Sequence, residues 1–296
     1  MATRVIDDTK LQNIAVAIQG KDSGGVMTVD EMPTRIAAIP TGDEVLFTSD
    51  GRQYTRTVEI PNNVTTIGDY AFQNCTGLTN ITFPDSLTTI NSSAFQNCTG
   101  LTGITLPDSL TTIKTSAFGG CTSLTEIDLN NVTTFLGGMH FQNCSSLRKV
   151  IGKKVTSTGN SFYNCTVLET VILSNVSTIG QNAFLVGYRL KNVDCRNVNK
   201  IVQGAFGRCK QLNLIDLTSR TTPTTLERTD AFKDTNNTWI AVVANDTIKS
   251  DFQNATNWST FASHFRTIAE VEAEVGMTYD EYYYQLFGEP RNEVAA

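Results

Sequence analysis

The chain has 296 residues, 40% of them hydrophobic and 18% charged, with a net charge of −6. An acidic chain without a block of Lys and Arg lacks the electrostatic footprint that phosphate binding needs, which excludes nucleic acid as a partner. No eighteen apolar residues run together, which excludes insertion into a membrane as a helix.

From the N-terminus, Leu11, Ile14 and Ile18 make one apolar stripe after Asp7-Asp8-Thr9, and Gly20 ends it. That spacing predicts a short amphipathic helix. Thr28 and Glu31 then stand at capping-box spacing ahead of a second stripe, Met32, Ile36 and Ile39. The two read as a helical hairpin over residues 1–43 whose stripes face each other or a partner. Residues 44–57 read as a β-hairpin cap, with Glu44 to Thr48 and Arg52 to Arg56 flanking Ser49-Asp50-Gly51. Met1 to Lys10 lacks the basic then apolar run of a secretory signal, the expectation for a chain that stays in the cytoplasm or leaves it by lysis.

Phenylalanine then recurs at Phe72, Phe95, Phe118, Phe141, Phe162, Phe184, Phe206 and Phe232, in steps of 23, 23, 23, 21, 22, 22 and 26 residues. A period in the low twenties with Leu and Ile at fixed offsets defines a solenoid in which each copy adds a short strand to a continuous sheet. One copy sets Phe95, Cys98, Leu101, Ile104, Leu106, Leu110, Ile113 and Ala117 inward. A copy buries about five large apolar side chains, roughly 8 to 15 kcal/mol, against about 1 to 2 kcal/mol per ordered backbone residue. Copies are therefore stable only when stacked, and the ends need caps. The expected fold is a β-rich α/β solenoid over residues 58–243, closed by a capping segment at 244–268.

The run Cys98 to Ile113 followed by Ala117-Phe118 resembles the BspA-like leucine-rich repeats of bacterial surface proteins, and Ala255 to Phe261 looks like the closing segment of such arrays. Later copies are looser, with Gly152 at a strand Leu position and Gly187 at a Cys position.

Six of the seven cysteines, Cys75, Cys98, Cys121, Cys144, Cys165 and Cys209, follow the repeat Phe by three residues and read as a buried column. Zinc needs ligands that converge, whereas a column presents parallel side chains. Asn74, Asn97, Asn143 and Asn164 form a second column, read as amides satisfying the turn backbones. Residues alternating with the buried strand positions face outward, and the charged ones, Glu126, Asp128, Arg148, Lys149, Glu169, Lys191, Asp194 and Asp216, are the candidate binding surface. Solvated cross-strand ion pairs and a polar ligand surface both fit this strip.

Residues 269–296 form an acidic, Tyr-rich tail. Thr278 with Glu281 caps a helix there, and Tyr279, Tyr282, Tyr283, Leu286 and Phe287 give it a broad aromatic face. That face either folds back over the last repeat or docks on another subunit. His140 and His264 begin no triad or metal motif, and the sequence carries no catalytic residue, metal set or cofactor motif.

Leu11 to Gln19 with Val29 to Ile39 resembles a short helical module of tail and baseplate-associated proteins of phages infecting Firmicutes. Joined to the repeats, it implies a non-enzymatic virion component held by its ends. Its partners would be other virion proteins or its own subunits in a homo-oligomer, and a host surface protein or glycan. The alternative is a bacterial cell-surface adhesin.

Overall fold

A computed structural model describes residues 57–291. The stripes of Leu11, Ile14, Ile18, Met32, Ile36 and Ile39, and the β-hairpin up to Arg56, lie outside the described residues.

Most coils open with a short strand whose central residue is apolar and points inward, as Ile81 does in Asn80–Thr82 and Ile127 in Glu126–Asp128. Seven such strands form one parallel sheet in the order Phe265–Thr267, Ile240–Val243, Leu214–Asp216, Asn192–Asp194, Thr170–Ile172, Lys149–Ile151 and Glu126–Asp128. A second strand of two or three residues in most coils, exemplified by Thr89–Ile90 and Thr112–Lys114, builds a second parallel face. The segments that carry Phe and Cys are turns rather than helices, and among the described residues α-helix occurs only after Asn245. The α content expected of the solenoid therefore belongs to its C-terminal end.

The repeat Phe rings stack along the axis from Phe72 to Phe232, with centroids 5.0 to 5.6 Å apart and planes within 17°. Trp239 continues the stack at 4.6 Å, and Phe252, Trp258 and Phe261 close the end around it. Cys98, Cys121, Cys144, Cys165 and Cys209, each three residues after a repeat Phe, donate their thiols to the carbonyl of the Phe one coil earlier. These bonds measure 3.0 Å from Cys98 to Phe72, 3.2 Å from Cys121 to Phe95 and 3.3 Å from Cys209 to Phe184. A small side chain with a weak donor is what this site accepts, since a larger one would meet the next coil.

Asn74, Asn97, Asn143 and Asn164 sit in the left-handed region, at φ of 59° to 63°, where Asn is tolerated better than most side chains. Their amides bond one another across coils, Asn97 to Asn74 at 3.0 Å and Asn164 to Asn143 at 2.9 Å, rather than the turn backbones. Gly152 takes the strand Leu position because Leu129 and Leu173 fill the space; a Cβ there would lie 2.9 Å from each.

Three helices follow the repeats: α1 (Asp246–Asn254), α2 (Ile268–Val275) and α3 (Tyr279–Phe287). Capping boxes open α2, from Thr267 and Glu270, and α3, from Thr278 and Glu281. Gly276, at φ 72°, ends α2 and turns the chain into α3.

Candidate functional site

The outward residues of the strand face change character along the axis. Thr82, Thr105 and Asp128 are exposed and Ile151 is half-buried, while Ile172, Asp194 and Asp216 are buried. The cause is α2 and α3, which lie across the C-terminal half of the sheet as a strap. Val271, Tyr279, Tyr283 and Phe287 pack there on Ile172, Leu214 and Val242. Tyr279, Tyr283 and Phe287 recur every four residues, so one helical stripe meets the sheet.

Beneath the strap lies a polar cluster. Asp194 and Asp216 are paired across adjacent strands, and both are fully buried. Asp194 accepts from Tyr283 Oη at 2.8 Å, Ser174 Oγ at 2.8 Å, and the Arg196 guanidinium at 2.7 and 3.0 Å. Asp216 accepts from the Thr218 amide at 2.8 Å and faces Arg291 Nε at 3.7 Å. Burial, with Asp194 next to it, pushes the Asp216 carboxyl up to about 6. Arg291 also holds Asp280 at 2.9 Å and Thr218 Oγ1 at 2.7 Å, tying the chain after α3 back to the sheet.

These contacts correct two expectations. Asp194 and Asp216 face away from the solenoid core, but the strap covers them, so they are not part of an accessible surface. The aromatic face of Tyr279, Tyr282, Tyr283, Leu286 and Phe287 docks on this chain's own strand face. It reaches Val242 of the last coil, whose end is closed by Trp258, Phe252 and Phe261. The sequence carries a sign of this. The outward positions Ile151, Ile172, Leu214 and Val242 are as apolar as the inward ones, the pattern of strands buried on both faces.

The other candidate residues remain accessible to different degrees. Arg148, Glu169 and Lys191, each just before a strand of neighbouring coils, form a ladder, with Glu169 3.0 Å from Arg148 and 2.9 Å from Lys191. The hydrogen bond from Lys191, together with both cations, holds the Glu169 carboxyl below its usual range. Lys149 pairs with Glu289 of the strap at 3.4 Å. Glu126 and Asp128 are exposed on the first strand of the seven-stranded sheet. They border an open cleft of about 680 Å³ on the strand face, lined also by Gly103, Thr105, Lys149 and Glu289.

Neither histidine stands in a catalytic array. His140 is buried, stacked on Phe135 at 4.4 Å, with Nδ1 2.8 Å from Ser161 Oγ and Nε2 3.1 Å from the Leu136 carbonyl. His264 stacks on Trp239 and bonds its carbonyl at 2.7 Å. Among the described residues no group of three His, Cys, Asp or Glu is placed to hold a metal, and no helix is long and apolar enough to cross a membrane.

Short parallel strands, a ring-stacked core and an asparagine ladder repeated about every 22 residues define a leucine-rich repeat solenoid. The chain belongs to the BspA type leucine rich repeat family, whose profile matches residues 50–161 and 140–238. Solved structures similar to it include a leucine rich repeat protein of T. pallidum, at 33% identity over 45% of this chain and 64% of that one, with a TM-score of 0.43. A leucine rich cell surface protein of Faecalibacterium prausnitzii is 24% identical over 69% of this chain and 62% of that one, with a TM-score of 0.40. The pneumococcal vaccine antigen PcpA is 19% identical over 71% of this chain and 39% of that one, with a TM-score of 0.39. The chain thus spans less than two thirds of the length of each. No curated protein matches it.

Proposed function

We propose that this chain is a non-enzymatic binding protein of the bacterial cell-surface kind, which offers the uncovered half of its strand face to a protein partner. The observation that carries this reading is the division of that face. The strap conceals Ile172, Leu214 and Val242, while Thr82, Thr105, Glu126 and Asp128 stay open beside a cleft. The apolar outward residues lie under the strap together with Asp194 and Asp216, whereas Thr82, Thr105, Glu126 and Asp128 are left free, as on a surface kept for a polar partner. Membership of the BspA type family supports the surface location. The virion reading rests on Leu11 to Gln19 and Val29 to Ile39, outside the described residues, and the comparisons lend it no support.

The test places a photo-crosslinking residue in the full chain at Thr82 or Thr105 on the strand face, or at Gln73 or Gln142 on the turn side, in intact cells of the source organism. The reading expects adducts with a protein partner from the strand-face positions only, and labelling of the chain by antibody on unbroken cells. Equal adducts from all four positions, or labelling only after lysis, would overturn it.

A further inference from the structure

The strand face is interrupted once. Residues 101–107 form no strand, although the equivalent segments on either side, Asn80–Thr82 and Glu126–Asp128, do. Gly103 occupies the outward position that Asn80, Glu126 and Lys149 hold in neighbouring coils, and an added Cβ there would meet nothing within 4 Å. The backbone amides of Gly103, Ile104, Thr105 and Leu106 make no backbone hydrogen bond with any described residue. The flanking bonds are stretched, 3.4 Å from Thr102 N to the Thr79 carbonyl and 3.4 Å from Thr125 N to the Thr102 carbonyl. Among the described residues the peptide groups of Gly103, Ile104 and Thr105 have no backbone partner, and the Leu106 carbonyl takes only the Asn130 side-chain amide at 3.5 Å, so three successive groups beside a glycine are left for main-chain pairing.

The cleft above this gap has the size of a ligand site, about 680 Å³ against the roughly 300 to 1,000 Å³ usual for such sites. Three carboxylates, Glu126, Asp128 and Glu289, line it against one ammonium, Lys149. Glu289 is already held by Lys149 at 3.4 Å and by Lys153 at 3.5 Å. Glu126 and Asp128 enter no ion pair among the described residues. The field in the cleft therefore favours a cation. No aromatic side chain lines it, so it has no platform for a sugar ring to stack on, whereas peptide groups repeating at about 3.3 Å match an extended chain.

Resting on the binding reading above, we infer that the gap at Gly103–Leu106 is a docking site for an extended polypeptide segment bearing Lys or Arg. The segment's main chain bonds the unpaired peptide groups, and its cation lies against Glu126 and Asp128. Because the charges are at the rim, added salt weakens the complex.

The experiment measures fluorescence anisotropy of a labelled acetyl-Thr-Lys-Val-Lys-Val-Lys-Thr peptide on the full chain, beside a version with Glu for Lys and a neutral maltoheptaose competitor. The inference expects saturable binding of the Lys peptide. It further expects at least a tenfold loss on combining Glu126→Gln with Asp128→Asn, a similar loss in Gly103→Val, no binding of the Glu peptide and no competition by the sugar. Each variant is checked for an unchanged melting temperature. If Gly103→Val unfolds the chain, the isosteric carboxylate variant decides alone. Unaltered affinity in that variant, stronger binding of the Glu peptide, or displacement by the sugar overturns the inference. Should partner adducts at Thr82 and Thr105 persist while the peptide results fail, the cationic-segment inference falls and the wider binding reading stands.

Discussion

Tyr283 donates a hydrogen bond of 2.8 Å to Asp194 across 89 positions of the chain, joining the middle of α3 to a strand near the middle of the seven-stranded sheet. The same tyrosine ring lies 5.3 Å from the Arg196 guanidinium that also holds Asp194. Tyr283→Phe removes the bond to a buried carboxylate while keeping the ring, so a cost of about 1.5 to 3 kcal/mol is expected. Amide exchange should rise in α3 and leave the Phe ladder protected. A loss confined to the ladder would show that the strap is not held this way.

Phe162 stands in the middle of the ring stack, 5.6 Å from Phe141 and 5.5 Å from Phe184. Phe162→Ala should cost about 3 to 5 kcal/mol in chemical denaturation. Because a solenoid is coupled coil to coil, unfolding should lose its single transition, with the two flanks melting apart. One undivided transition with a shift under about 1 kcal/mol would contradict the ladder's role.

His140 is neutral in the folded state, its pKa lowered from 6.5 to about 4 by burial. A depressed histidine contributes stability that is complete above the unfolded pKa and lost as the pH falls toward the folded one. Between pH 6.5 and 4 the chain should therefore lose about 3 kcal/mol from this residue. His140→Ala, which restores the residue found before Phe72, Phe95 and Phe118, should flatten that slope even though it forfeits the stack on Phe135. Denaturation midpoints measured across this pH range check it.

Burial pushes the thiols of Cys121 and Cys165 up to about 12 and those of Cys98, Cys144, Cys195 and Cys209 well above their ordinary value. Since thiolate is the reactive form, an alkylating agent at neutral pH should label the partly exposed Cys75 and spare these six until the chain unfolds. Rapid labelling of Cys144 in the native protein would refute the column.

What could be read in advance followed from periodicity. The Phe and Cys spacings defined the coil because every copy solves the same packing problem, and the left-handed turn before each Cys is legible as Asn or Gly in five of its copies. Asp194 and Asp216 were misplaced for the opposite reason. A strand residue's parity shows that it leaves the solenoid core, but not that an element roughly 70 to 90 positions later returns to cover it. The clue lay in Ile172, Leu214 and Val242, apolar where Thr82 and Thr105 are polar. The gap at Gly103 was legible only as one missing side chain, since loss of strand pairing is a property of three coils together.

The most direct test of a divided strand face is amide hydrogen exchange on the full chain, resolved to short peptides. Residues 279–287 and the strands Thr170–Ile172, Asn192–Asp194 and Leu214–Asp216 should exchange slowly, and the amides of Gly103 to Leu106 should exchange at least about a hundredfold faster than those of Thr170–Ile172. Uniform protection across the first five coils, or α3 exchanging as fast as the Gly103 gap, would contradict the account.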